Sequence, residues 1–198
     1  ERLTLACDVV DAIWHDDLDR VRTLVTAHPE IIHESALVRP SNWGPPLTYA
    51  ANLGRDRIIR LLYDLGARDL DTALGRAALQ SRIGTAETLY DLMGRPPIPD
   101  GALAGPAYTL SDAGTALLLR LGARVSGDDG RRLAPVDVVL ETDSRKPTSK
   151  HAILEMYVAA GVELPDTAPM AVHRGRIDLL ERLLEQDPTL LRRQFRHE

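Results

Sequence analysis

Six histidines, one cysteine and a tight acidic cluster are the residues whose chemistry asks first for an explanation. His15, His28, His33, His151, His173 and His197 stand apart with no i, i+4 pair, whereas a zinc site needs three or four ligands converging on one point. Their spacing predicts no metal centre. His28, just before Pro29, reads as a residue that caps a helix end. Cys7 sits near Val9 and Val10, which predicts a buried, inert thiol and not a nucleophile, because no base accompanies it. Asp16, Asp17 and Asp19 have the composition of a calcium or acid–base cluster, yet they fall where a helix begins and complement its dipole. Asp128-Asp129-Gly130 reads as a turn. No GxSxG elbow, GxxxxGK[ST] phosphate loop, HExxH or post-strand GxGxxG occurs. The expectation is a protein that is not an enzyme and carries no cofactor.

The composition of the 198 residues, 44% hydrophobic and 27% charged, allows an ordinary folded chain. Aromatic residues make up only 4%, with Phe195 the sole phenylalanine, so Ala, Leu, Val and Ile must fill the interior, as stacked helices prefer. A net charge of −5 argues against a general nucleic-acid binder, which needs a dense basic face. One cysteine makes no internal disulfide and predicts a reducing compartment. No apolar run approaches the roughly 18 to 20 residues of a membrane span, and Asp8 interrupts the start as a signal peptide would not. The predicted location is cytoplasmic, with no membrane partner. Lys146 and Lys150 are the only lysines against 22 arginines, a bias that reads as GC-rich, bacterial codon usage. The start at Glu1 without a Met and the stop after RRQFRHE predict a trimmed piece of something longer, and the leucine-rich stretch Ile177 to Leu184 predicts that a further unit follows.

The elements that position these residues come from an internal repeat. Leu47, Ala50-Ala51 and Leu62-Tyr63-Asp64-Leu65 recur 27 residues later as Leu74, Ala77-Ala78 and Leu89-Tyr90-Asp91-Leu92. Further copies run from Leu103 to Ala123, from Pro135 to Gly161 and from Thr167 to Leu184. The stretch from Asp17 to Ile32, with His28-Pro29, echoes the last copy and its Asp187-Pro188. Six units follow, approximately 1–40, 41–68, 69–97, 98–127, 128–164 and 165–198, forming one domain. In each, a first short helix carries small residues that allow close approach. A second helix carries a stripe such as Ile58, Leu61, Leu62 and Leu65. Gly66-Ala67 and Gly122-Ala123 mark helix ends where glycine tolerates the left-handed conformation. One such pair cannot bury its stripe alone, so the pairs must stack.

Pro45-Pro46-Leu47-Thr48-Tyr49-Ala50-Ala51-Asn52-Leu53-Gly54, followed by Leu61-Leu62 and Gly66-Ala67, resembles the ankyrin repeat, with its TPLHxAAxxG signature, VxxLL helix and GA turn. The likeness is good in the second unit, fair in the third and last, and weak in the others. It implies an all-α fold, an α-solenoid of about six helix pairs joined by loops or short β-hairpins, with a concave groove. Tetratricopeptide units have a similar period but need larger aromatic residues at the helix crossings. The sequence departs from the pattern at 33–43, which is long, at 94–99, where Pro96, Pro97 and Pro99 predict no regular hairpin, and at 143–148, a predicted surface loop.

The resemblance also implies a binding strip, because residues after the Ala-Ala pair and at the hairpin tips face the groove. Position by position, the pairs are Trp14 and His15, Asn52 and Leu53, Leu79 and Gln80, Tyr108 and Thr109, Glu141 and Thr142, and His173 and Arg174. The tip candidates are Asn42, Trp43, Asp69, Asp71, Arg131 and Arg132. Aromatic and arginine side chains dominate interface energetics. Trp43 has a second reading as a plug under the first long connection, and Trp14 one as a cover for the exposed end. The function this implies is a non-catalytic scaffold that binds a protein or peptide, the alternative being a regulatory or targeting module of a larger enzyme or effector. Binding of a small molecule in the groove is a third reading.

Overall fold

The computed structural model describes residues 2–35, 44–127, 129–130, 134–142 and 145–195. Among these the secondary structure is helical: twelve α-helices and two 3-10 turns, with no strand. The chain divides into two compact units, Glu1–Ile98 and Pro99–Glu198. The first holds α1 (Arg2–Trp14), α2 (Leu18–Ala27), a 3-10 turn (Pro29–His33), α3 (Pro46–Leu53), α4 (Asp56–Asp64), α5 (Leu70–Leu79) and α6 (Ile83–Leu92). The second holds α7 (Ala104–Thr109), α8 (Asp112–Arg120), α9 (Ala134–Glu141), α10 (Pro147–Ala159), α11 (Ala168–Arg174), α12 (Ile177–Gln186) and a 3-10 turn (Pro188–Arg192). No described helix is long and apolar enough to cross a membrane.

The helices come in pairs, with a tight turn joining the two helices of each pair except α9 and α10, whose connection is longer. In the first unit α3 packs between α1 and α5, and α4 packs on α2. Small residues make this possible: Pro46 to Ala51 of α3 are all buried, as are Ala73, Ala77 and Ala78 of α5. On α4 the stripe Ile58, Ile59, Leu61 and Leu62 is buried. Leu65, expected to continue it, instead caps the helix and is 38% exposed, because α4 stops at Asp64.

One device ends nine of the twelve helices. A residue with positive φ follows the last turn, and the next amide donates to the carbonyl five residues back. Arg55 N to Ala50 O (3.0 Å), Ala67 N to Leu62 O (2.9 Å) and Arg176 N to Ala171 O (2.8 Å) are examples, with Gly54, Gly66 and Gly175 in the left-handed region. Asp16, Ser81 and Leu110 take the same conformation, at about 1–2 kcal/mol each for a residue with a Cβ. Among the described residues the other three helices show other endings. α2 and α12 run into His28-Pro29 and Asp187-Pro188, where proline cannot continue the ladder and a 3-10 turn follows. The end of α9 is closed by a side chain: Lys150 Nζ donates to Leu140 O (3.1 Å) and Thr142 O (3.5 Å). Burial pushes that ammonium below its ordinary value.

Polar ties register one pair on the next. Asp69 accepts from the Thr48 backbone N (3.2 Å) and hydroxyl (2.5 Å), joining the starts of α3 and α5. The Thr85 hydroxyl donates to Asp56 Oδ1 at 2.6 Å, joining α6 to α4. In the second unit α7 packs on α9, and α10 on α8 and α11. Its core is filled by Leu103, Leu117, Leu118, Val139, Leu154 and Tyr157. Burial pushes the Tyr157 hydroxyl well above the usual phenol range, with the Thr115 hydroxyl beside it opposing the shift.

Two further expectations change. Cys7 is exposed and not buried, because Ala6 and Val9, on the other side of the helix, take the inner face of α1. The stretch 143–148 is not all loop: Pro147 and Thr148 form the first turn of α10, as suits proline at a helix start. The stretch 94–99 carries no strand, and the Tyr90 hydroxyl holds it through Pro96 O at 2.9 Å. Residues 36–43, 128 and 143–144 of the predicted connections lie outside the described residues.

Candidate functional site

Of the expected binding residues, Trp14, His15, Asn52, Leu53, Gln80, Tyr108, His173 and Arg174 sit at or just after the C-terminal ends of the first helices. In the first unit these ends lie side by side. Arg55, which begins the turn into α4, donates from Nη2 to Trp14 O at 2.7 Å, bringing the ends of α1 and α3 together. A Cβ added at Gly54 would lie 3.3 Å from Arg82 Cδ, which places the end of α3 beside the turn after α5. Trp14, Asn52, Leu53 and Gln80 therefore share one edge. Trp14 is 54% exposed, Gln80 is exposed, and Asn52 and Leu53 are half-buried. His15 turns back on its own helix, its Nδ1 2.9 Å from Asp11 O.

In the second unit Tyr108, at 72% exposure, projects from the end of α7. Its carbonyl accepts from the Thr142 hydroxyl at 3.5 Å, and the next carbonyl, of Thr109, from Lys146 Nζ at 3.2 Å. Thr142 and the two lysines are thus taken up in holding helix ends. His173 is half-buried.

Two expected surface residues do structural work instead. Arg174 is 7% exposed, and its guanidinium grips Glu155 of α10 through Nε to Oε1 (2.6 Å) and Nη2 to Oε2 (3.3 Å). A fork of this kind fixes α11 against α10, so the charge is not offered to a partner. Asp69 is the tie to Thr48 described above, while Asp71, two residues on, is exposed in the first turn of α5. Trp43, Asn42, Arg131 and Arg132 lie outside the described residues.

Sequence reasoning missed the Arg174–Glu155 fork, whose partners are 19 positions apart with no local pattern to join them. It missed a clasp in the second unit as well, where Asp100 accepts from Arg124 (3.1 and 2.6 Å) and the Ser126 hydroxyl (2.8 Å). The Ser126 bond, then the Arg124 guanidinium, hold that carboxyl below its ordinary value. A signal for the lysines did exist: in a chain that otherwise uses arginine, both lysines fall within five residues, where α9 gives way to α10.

Chemically, the edge in the first unit offers an indole, a carboxamide pair and an aliphatic side chain, and in the second unit Tyr108 offers a phenol. Among the described residues no three of His, Cys, Asp and Glu gather to hold a metal ion. No protein-family model matches the sequence, and no curated protein compared with it matches either.

Proposed function

We propose that the chain is an ankyrin-type repeat protein, an α-solenoid that binds a protein or peptide along the ends of its first helices. The observation that carries this is the way those ends are closed. In α1, α3, α5, α7 and α11 an amide of the following turn closes on the carbonyl five residues back, and where a last carbonyl also takes a side chain, as Trp14 O and Tyr108 O do, the donor (Arg55, Thr142) comes from another helix pair. Capping makes no demand on the side chains of the last turn, so Trp14, Asn52, Gln80 and Tyr108 can be chosen for contact with something else. Exposed tryptophan and tyrosine are the types that anchor interfaces. The small-residue first helices and the six helix pairs agree with the sequence resemblance. An exposed lone thiol at Cys7 suits a reducing, cytoplasmic setting.

Selection from a displayed peptide and protein-fragment library, with the whole chain as bait, tests the proposal. Selected binders should lose about tenfold or more in affinity, roughly 1.4 kcal/mol, for a Trp14→Ala, Tyr108→Ala variant whose melting temperature is unchanged. Binders that ignore both substitutions would place recognition elsewhere.

A further inference from the structure

Two consecutive steps of the first unit use equivalent positions differently. The left-handed residue after α1 is Asp16 (φ 58°) and after α3 it is Gly54 (φ 74°), and in each case the next amide closes the helix, Asp17 N on Ala12 O and Arg55 N on Ala50 O. Arg55 and Arg82 are equivalent as well. They stand 27 residues apart, each just before a second helix, and the Arg82 amide closes α5 on Ala77 O at 2.9 Å. Arg55 has its acceptors: Nη2 donates to Trp14 O at 2.7 Å, and Nη1 lies 3.7 Å from Asp16 Oδ2. Arg82 reaches the same way, its Cδ 3.3 Å from where a Cβ on residue 54 would stand, but glycine brings no carboxylate there. Arg82 is exposed, and among the described residues its guanidinium makes no ion pair or hydrogen bond. The repeat sets a second cation beside it. Burial raises the Tyr49 phenol, and the Arg55 guanidinium is near enough to oppose that shift. Arg76 stands 27 residues after Tyr49, so it is to Arg82 what Tyr49 is to Arg55. Arg76 lies half-buried in the last turn of α5, and burial pushes its guanidinium below the ordinary value. Among the described residues nothing accepts from it, although a guanidinium carries five donors and loses free energy when it leaves water without acceptors. Asp56, at the start of α4, is held by the Thr85 hydroxyl at 2.6 Å.

Resting on the reading of this edge as a peptide-binding surface, we propose that Arg76 and Arg82 form a carboxylate site, in which an Asp or Glu side chain of the bound peptide takes the place that Asp16 holds one step earlier. The first step supplies the template, a carboxylate set against the arginine that begins the second helix. The second step keeps the arginine, adds another and omits the carboxylate. Guanidinium groups suit that ligand because their planar donors match the two carboxylate oxygens. Gln80, four residues after Arg76 and so on the same face of the helix end, adds a carboxamide next to the pair.

The test selects peptides from a displayed random library with the whole chain as bait, then resynthesises each with its Asp and Glu changed to Asn and Gln. On the unsubstituted chain that change should cost about tenfold or more in affinity. On an Arg76→Gln, Arg82→Gln variant of unchanged melting temperature it should cost little, because the coupling between carboxylate and guanidinium is gone. Gly54→Asp checks the same site without removing an arginine. It restores the residue type that the first step carries in the left-handed turn, sets a carboxylate beside Arg82, and should likewise cancel the advantage of the acidic peptide. Binders that weaken with Trp14→Ala, Tyr108→Ala but ignore the acid-to-amide change, or lose as much by it on the arginine-substituted variant, would overturn the carboxylate site and leave the binding edge standing. A library that yields no binder, or only binders indifferent to Trp14→Ala, Tyr108→Ala, would overturn the edge reading and the site with it. Displacement of an acidic binder by an equal concentration of free glutarate would make a small dicarboxylate the ligand and overturn the choice of a peptide.

Discussion

The α3–α4 pair and the α9–α10 pair do the same job with opposite means. In the first, Gly54 turns left-handed, the Arg55 amide closes on Ala50 O, and only two residues separate α3 from α4. In the second, no left-handed residue follows α9 among the described residues; the connection is longer, and Lys150 reaches back to Leu140 O and Thr142 O. Backbone closure is self-contained and leaves the last-turn side chains to face outward. Side-chain closure consumes Lys150, while the Thr142 hydroxyl is spent on Tyr108 O at the end of α7. The lesson is that where the backbone closes its own helix the last-turn side chains are left out of the capping, whereas at the end of α9 a side chain takes part in it.

The sharpest way to break the backbone-closed class is at Gly175. Its φ is 66°, and an added Cβ would run into the His151 ring, 2.7 Å from Cε1. Gly175→Ala should cost about 2–3 kcal/mol, the left-handed penalty plus a displaced ring. Gly66→Ala provides the reference, since φ is 111° but nothing lies within 4 Å of the new methyl, and it should cost about 1–2 kcal/mol. Denaturant melts measure both, and equal losses would show that His151 yields freely. Lys150→Met addresses the other class. It should cost about 1–2 kcal/mol by leaving two carbonyls without their donor, and faster amide exchange should be confined to the end of α9. A loss spread over α10 as well would mean that Lys150 works through packing.

Ser81→Gly should move the other way. It relieves a left-handed non-glycine residue at an exposed turn, φ 57°, for a gain of about 0.5–1 kcal/mol. No gain would show that the serine side chain offsets its own strain. The smallest effect concerns the ion pair that follows the Gly175 turn. Arg176 forks Asp178 at 2.7 and 2.5 Å, and that hydrogen-bonded pair holds the Asp178 carboxyl at about 2, below its ordinary 3.8. A carboxyl lowered on folding stabilises above its unfolded value and loses that contribution as pH falls through the folded one. Asp178→Asn should therefore flatten the acid limb of the stability profile between pH 3.8 and about 2, leaving pH 7 to 5 unaffected in slope. An unchanged acid limb would show that solvent screens the pair completely.

What could be read in the sequence was whatever repeats locally. The helix pairs follow from recurring Ala-Ala and leucine spacing, and Gly66 and Gly122 marked helix ends because glycine advertises a left-handed residue. Ser81 and Leu110 adopt the same conformation without that sign, since the closing amide bond and not the residue type imposes it. Arg174 and Asp69 looked like free surface residues because their positions in the repeat are variable. Their partners, Glu155 and Thr48, sit one helix pair away, and only packing brings them within reach. Trp14 and Tyr108 were legible for the converse reason: large aromatic side chains stand where the repeat needs none.

The central claim is that backbone closure hands the last-turn side chains to a partner. It is tested most directly by titrating one selected binder against the double variant Trp14→Ala, Tyr108→Ala and the single variant Lys150→Met, with affinity and melting temperature measured on each. The account predicts that the double variant loses about tenfold or more in affinity with its melting temperature unchanged, while Lys150→Met melts lower and binds as before. Loss of binding with Lys150→Met and not with the double variant would contradict it.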